Sequence, residues 1–145
     1  MKMSYSINSN IKWILPIMCL LMSVLISGCA RKMNFGVSQV TPAAEGFVKI
    51  KKDQNDNKII NVQVKNLAAV NRLNPPRDFY VVWMKTENNG TQNIGRLKSS
   101  SGLFSNALNA ELKTVTAFEP VNFFITAENN ATVQIPSYFI VLETK

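Results

Sequence analysis

Apolar and polar residues alternate with a period of two along most of the chain, and that alternation is the strongest constraint on what it can fold into. Val48 and Ile50 alternate with Lys49 and Lys51, and Ile60, Val62 and Val64 alternate with Asn61, Gln63 and Lys65. Further on, Val121, Phe123, Ile125 and Ala127 alternate with Asn122, Phe124, Thr126 and Glu128. Side chains of a strand point to opposite faces in turn, so such runs are half-buried strands and not helices. Turn chemistry separates them. Asp53-Gln-Asn-Asp-Asn57 supplies residues that accept left-handed backbone and bond their own chain, and Asn89-Gly90 is a hairpin signal. Pro75-Pro76 cannot donate to a ladder and separates two elements.

Asp78-Phe-Tyr-Val-Val-Trp-Met-Lys85 is apolar on both parities and reads as a central strand covered on both faces, with Trp83 as a core anchor between two sheets. In the short strand Ile94 to Lys98, Gly95 marks a bulge. Ser99 to Gly102 reads as a loop. Leu103 to Lys113 fits both periods, and the β surroundings favour a strand from Leu108. Tyr138, Ile140 and Leu142 close the chain as a last strand. About seven short strands predict an all-β fold, an immunoglobulin-like antiparallel β-sandwich, with a barrel as the second choice.

The N-terminal stretch has a different pattern. Lys2 and Lys12 precede an apolar run from Trp13 to Ile26, the charged-then-apolar order of an export signal. At about 1.5 Å per helical residue the run covers about 21 Å, short of a hydrocarbon core of about 30 Å. It ends in Leu25-Ile26-Ser27-Gly28-Cys29. This ending resembles the lipobox of bacterial lipoproteins: small residues at the cleavage positions Ser27 and Gly28, then a cysteine that is lipidated and becomes the new N-terminus. The resemblance implies that Cys29 carries a covalent diacylglycerol and acyl lipid, that 1–28 is a removed signal helix, and that the protein is held in the cell envelope. Ala30, by analogy with enteric lipoproteins, points to the outer membrane rather than the inner one. Arg31 and Lys32 lack the acidic run of a surface-export signal, so the expected orientation is towards the periplasm, with surface exposure as the alternative. Residues 29–42 are read as the lipidated cysteine with a flexible tether, and 43–145 as the sandwich domain.

Composition narrows the chemistry. The chain has 145 residues, two cysteines and no histidine, and both cysteines, Cys19 and Cys29, lie in or at the end of the apolar run. The folded domain therefore has no disulfide, and the commonest general base and zinc ligand is missing. The net charge of +7 shrinks once Lys2 and Lys12 are set aside, and the rest is spread as single cations. The tightest group, Lys49, Lys51 and Lys52, reads as one wet strand face. A phosphate or anionic-lipid contact is the lesser alternative, since the aromatic interleaving of a nucleic-acid surface is missing. Asp53, Asn55 and Asn57 match the first odd positions of a calcium loop, but Lys58 and Val64 stand where a glycine and a bidentate glutamate are needed. No metal, cofactor or catalytic residue is expected.

From Tyr80 onward the residues resemble the extracytoplasmic domain of anti-sigma-K-type factors. The matching positions are Tyr80-Val-Val-Trp83, Ile94-Gly95-Arg-Leu97, Ile125-Thr-Ala-Glu128 and Pro136. The wider plan of lipobox, Asp-Asn hairpin and Tyr-Val-Val-Trp-Met strand resembles uncharacterised lipoproteins of the Bacteroidetes. Anti-sigma factors place a sigma-binding domain before their spanning helix, whereas here Met1 to Ile11 alone precedes the apolar run. The resemblance thus implies a sandwich used outside the cytoplasm without regulatory output, or a remnant of such a sensor. The leading expectation is a membrane-anchored, non-catalytic interaction or structural module with an envelope protein as partner. The alternative is a module binding glycans or other envelope polymers, with Phe47, Phe124 or Phe139 as exposed platforms. Glu128 is expected to cap a strand end or pair with a lysine.

Overall fold

The computed structural model describes residues 30–101 and 108–145. Among these residues nine strands form two antiparallel sheets packed as a β-sandwich. One sheet contains β1 (Arg31–Asn34), β2 (Glu45–Lys52), β3 (Lys58–Leu67), β7 (Leu108–Thr116) and β6 (Lys98–Ser101), in that spatial order. The other runs β5 (Thr91–Arg96), β4 (Phe79–Thr86), β8 (Pro120–Glu128), β9 (Ile140–Glu143).

The alternating apolar residues do what their period requires. Val48, Ile50, Ile60, Val62, Val64 and Ala110 of the first sheet meet Tyr80, Val82, Met84, Phe123, Ile125 and Ala127 of the second in one buried cluster. The hairpin between β2 and β3 forms as expected. Asp53 accepts the backbone N–H groups of Asn55 and Asn57 at 2.8 and 2.9 Å, and Asp56 takes a positive φ of 63°. These bonds, led by the one from the Asn57 side-chain amide, hold the Asp53 carboxyl below its ordinary range.

Two strands lie where connections were expected. The segment read as a flexible tether contains β1, paired with β2 from Arg31↔Ile50 to Asn34↔Phe47. Beyond it, Phe35 bridges Thr144, and Ser38 donates its hydroxyl to the Val141 carbonyl. Phe35, Ser38, Thr41 and Ala44 are all buried. A short segment with one inward apolar residue, Met33, shows no period by itself; it is a strand because β2 offers a free edge. The serine-rich stretch read as a loop is β6, paired with β7 from Lys98↔Glu111 to Ser101↔Leu108. Serines pattern poorly, and partner geometry decides their state.

Both open sides of the sandwich are crossed by chain. On one side residues 34–36 link β1 to the end of β9, with Gly36 N–H donating to Glu143 at 2.8 Å and Lys145 N–H to Asn34 at 3.1 Å. On the other, β5 leaves its sheet at Leu97, whose N–H donates to the Tyr80 carbonyl, and continues as β6 in the facing sheet. Gly95 sits in this corner at φ 129°, beside a register shift between Val82 and Trp83, so the expected bulge is present. A Cβ there would need a disfavoured backbone and would press on Leu112 at 3.2 Å.

Tyr80 closes the inner core near the connection from β3 to β4, donating its phenol to the Ala68 carbonyl at 2.9 Å. Burial raises its pKa to about 12. In the unfolded chain a tyrosine ionises near pH 10. The native state therefore keeps a proton that the unfolded state has lost, and stability falls as pH rises from about 10 through about 12. Urea midpoints measured across that window should decline more steeply for the native chain than for Tyr80→Phe. Equal slopes would contradict this assignment.

Candidate functional site

Among the described residues, side chains with something to offer a ligand or partner gather in several regions of the surface. The first is the outer face of the β5-β4-β8-β9 sheet. Parity puts Val81, Trp83 and Phe124 on this face, where they form a second buried cluster with Phe79 and Val133 packed against it. Trp83 is therefore not between the two sheets, as its size suggested, but on the outer side of one of them and completely buried there. Its ring lies nearly parallel to that of Phe124, 6.1 Å away between centroids.

Against this cluster packs Val133, from the connection between β8 and β9, residues 129–139. A chain of buried bonds pins that connection. Trp83 Nε1–H donates to Thr126 Oγ1 at 2.7 Å, the Thr126 hydroxyl donates to Glu128 Oε1 at 2.6 Å, and Ser137 N–H donates to the same oxygen at 2.9 Å. Asn93 on β5 reaches across, donating to the carbonyls of Ala131 and Val133 at 3.0 and 2.8 Å. Among the described residues Glu128 has no lysine partner; instead of capping an exposed end it is a buried acceptor that fixes the loop. Pro136 is half-buried in that loop beside Ser137. Asn93 carried no signal in the sequence and Thr126 stood only within the Ile125-Thr-Ala-Glu128 match, although the rule that a buried indole N–H finds an acceptor pointed to a polar neighbour on the Trp83 side.

With its base fixed, the loop presents Ile135, 82% exposed, and Tyr138, fully exposed, to solvent. The aromatic residues expected as platforms do not share a face. Phe124 is buried under Lys85, whose ammonium stands 5.2 Å from its ring. Phe47 lies on the opposite sheet beneath Lys32 at 4.3 Å, and Phe139 beneath Arg77 at 5.8 Å.

The second region is a groove of about 410 Å³ beside the β1–β2 edge, lined by Phe35, Gly36, Val37, Pro42, Gly46 and Phe47 among others. Gly46 permits close strand approach here, since a Cβ would collide with the Gln63 carbonyl. Glu45 and Lys65, in register with one another, also line it, so its charges balance.

The third region is the outer face of the five-stranded sheet near the start of β1, where Lys49, Lys51 and Lys113 line a shallow depression with Ile59 and Asn61. Among the described residues no group of three or more His, Cys, Asp or Glu is placed to hold a metal ion. The Asp53 oxygens are taken by their own turn.

Of the residues singled out in the sequence, Tyr80, Trp83, Gly95, Glu128 and Pro136 all lie in the β4-to-β9 half, but they serve different places. Trp83, Glu128 and Pro136 build or join the loop clamp, Tyr80 belongs to the inner core, and Gly95 turns the corner. Ser27, Gly28 and Cys29 lie outside the described residues. Comparison with known proteins finds no matching family model, no similar curated protein and no similar solved structure.

Proposed function

We propose that the protein is a lipid-anchored envelope lipoprotein, attached through Cys29 to the outer membrane and facing the periplasm, whose sandwich is a non-catalytic interaction module. The strand order supports an immunoglobulin-like form of the sandwich. Without β1, the orders β2-β3-β7-β6 and β5-β4-β8-β9 correspond to the ABED sheet and a CFG sheet extended by one strand. Folds of this kind place their contact surfaces on loops and strand edges held by a rigid body.

The observation that carries the reading is the 129–139 loop. Ile135 and Tyr138 stand exposed in one connection, on a loop held by Glu128, Ser137 and Asn93, so an aliphatic and an aromatic side chain are offered to a partner on a fixed base. A loop already held in one conformation loses little entropy when a partner docks, so such a base favours recognition over adaptability. A photoreactive amino acid placed at Tyr138 in the full chain should give a discrete adduct with another envelope protein after irradiation of intact cells. Ile135→Asp should weaken that adduct. Adducts with lipid alone, or none, would contradict the reading.

The groove supports a second reading, a module for envelope glycans or polymers. Phe47 supplies a ring, and Glu45, Gln63 and Lys65 supply polar partners, within a volume at the low end of small-ligand sites. Only one of the three aromatic residues considered lines it, which makes it the weaker of the two.

A further inference from the structure

The lysines of the five-stranded sheet are not evenly spread over its outer face. Strand register aligns them into rungs. Lys32 stands opposite Lys49, Lys49 opposite Asn61, and Asn61 opposite Lys113, so one rung crosses four strands with three cations and no carboxylate. The next rung towards the start of β1 holds Lys51, Ile59 and Val115. Lys32, Lys49, Lys51 and Lys113 are all exposed, and Val115 is 57% exposed among them. The acidic residues of this face lie at its other half, each with a basic neighbour: Glu111 opposite Lys98 and Glu45 opposite Lys65. At the end loops beyond the lysine rungs, Asp56 is paired with Lys52 at 2.9 Å and Glu119 with Lys58 at 3.1 Å. The half of the sheet nearest the N-terminus of β1 therefore carries four lysines around a small apolar centre with no carboxylate on the same rungs, while Asp53, in the turn beyond, bonds neutral groups of its own turn.

The chain outside the structure ends at that same half. Cys29 is two residues before Arg31, where β1 begins, and two residues reach at most about 7 Å. With β1 built into the sheet, no tether of the expected kind remains to lift the domain away from a lipid on Cys29. We infer that this lysine-bearing half-face docks on the anionic lipid surface that holds the anchor, setting the sandwich at a fixed orientation with the far end of its strands turned outward. The inference rests on the proposed acylation of Cys29. A covalent lipid gives attachment without orientation, and a basic patch supplies the second signal. Val115 would sit at headgroup depth, with Lys32, Lys49, Lys51 and Lys113 around it reaching the phosphates.

The test uses the full acylated chain in phosphatidylethanolamine vesicles made with or without phosphatidylglycerol, and a headgroup-labelled lipid as quencher. A fluorescent amino acid stands at Val115 or, as a control at the other end of the strands, at Asn71. Quenching should be strong at Val115 and weak at Asn71 when phosphatidylglycerol is present, and should fall at high salt. Each lysine near an anionic surface weighs the docked orientation by roughly fivefold, so K49Q/K51Q/K113Q should reduce it by about a hundredfold. Equal quenching at both positions, or quenching unchanged by the triple substitution, would overturn the inference. So would a Val115 probe that ignores phosphatidylglycerol and responds only to an added anionic polysaccharide. The mass of the N-terminal peptide separates the two levels of the argument. Acylation without lysine-dependent quenching overturns the docking alone, whereas lysine-dependent quenching by added vesicles without acylation supports the docking and overturns the anchor.

Discussion

Replacing Trp83 with alanine should lower the unfolding free energy by about 3–5 kcal/mol, the range for truncating a fully buried aromatic residue. The loss has three parts, all on the outer face of one sheet. The indole removes its own buried area, its stacking on Phe124, and the donor that satisfies Thr126 Oγ1. Since the cluster under the loop is separate from the inner core, the damage should be uneven. The inner residues, from Val48 and Ile60 to Phe123 and Ile125, keep their partners, and the sandwich still folds. The 129–139 loop loses its floor, and the Ser137 amide, bound to Glu128, should exchange its hydrogen much faster in the variant. Trp83→Phe keeps one six-membered ring but loses the pyrrole part of the indole with its N–H, so it should cost about 1–3 kcal/mol, less than the alanine variant. Urea unfolding of both variants, with hydrogen exchange of the loop, checks the account. A Trp83→Ala loss below about 1 kcal/mol, against that expected range, would mean that the cluster contributes little.

The second large effect concerns location. Cys29→Ala should abolish incorporation of labelled fatty acid, because a thiol is the side chain that takes the thioether. On the proposed reading the same cysteine takes the lipid and becomes the new N-terminus, so the variant should also retain residues 1–28 and migrate as the larger species. Its remaining hold on the membrane would be the apolar run from Trp13 to Ile26, whose sequence, at about 1.5 Å per helical residue, is short of a hydrocarbon core of about 30 Å. Metabolic labelling and fractionation read both outcomes. Labelling that survives the substitution would mean that another group carries the lipid. The structure gives this position added weight, because β1 begins so soon after it that anything attached at Cys29 is attached almost directly to the sandwich.

How much of this could be read from the sequence depended on where the period of two was written in large residues. Val48, Ile50, Ile60, Val62 and Val64 announced β2 and β3, and the Asp53–Asn57 turn fixed their pairing. The same rule, pressed further, would have placed Trp83 correctly. Tyr80, Val82 and Met84 share one parity and fill the inner core, which leaves Val81 and Trp83 for the outer face. Size argued for the inner core and parity won, because Val133, from a loop distant in sequence, packs over the outer cluster at no cost to the strand. β1 and β6 were illegible for a different reason. Arg31-Lys-Met-Asn34 and Lys98-Ser-Ser-Ser101 have no apolar alternation, and edge pairing with β2 and β7 makes them strands. Of the surface, the local Lys49, Lys51, Lys52 cluster was visible and read as one wet strand face. The rung that joins Lys49 to Lys32 and Lys113 was not, since register across strands is a tertiary property. The loop clamp of Glu128, Asn93 and Ser137 escaped for the same reason.

Attachment of the sandwich to a membrane depends on the state of its N-terminus in the cell. Mass spectrometry of the N-terminal peptide, from protein extracted out of envelope membranes, measures it directly. The expected result is a chain that begins at Cys29 and carries a diacylglycerol thioether with further acylation. A chain that begins at Met1, or at Cys29 with a free thiol, would contradict the account.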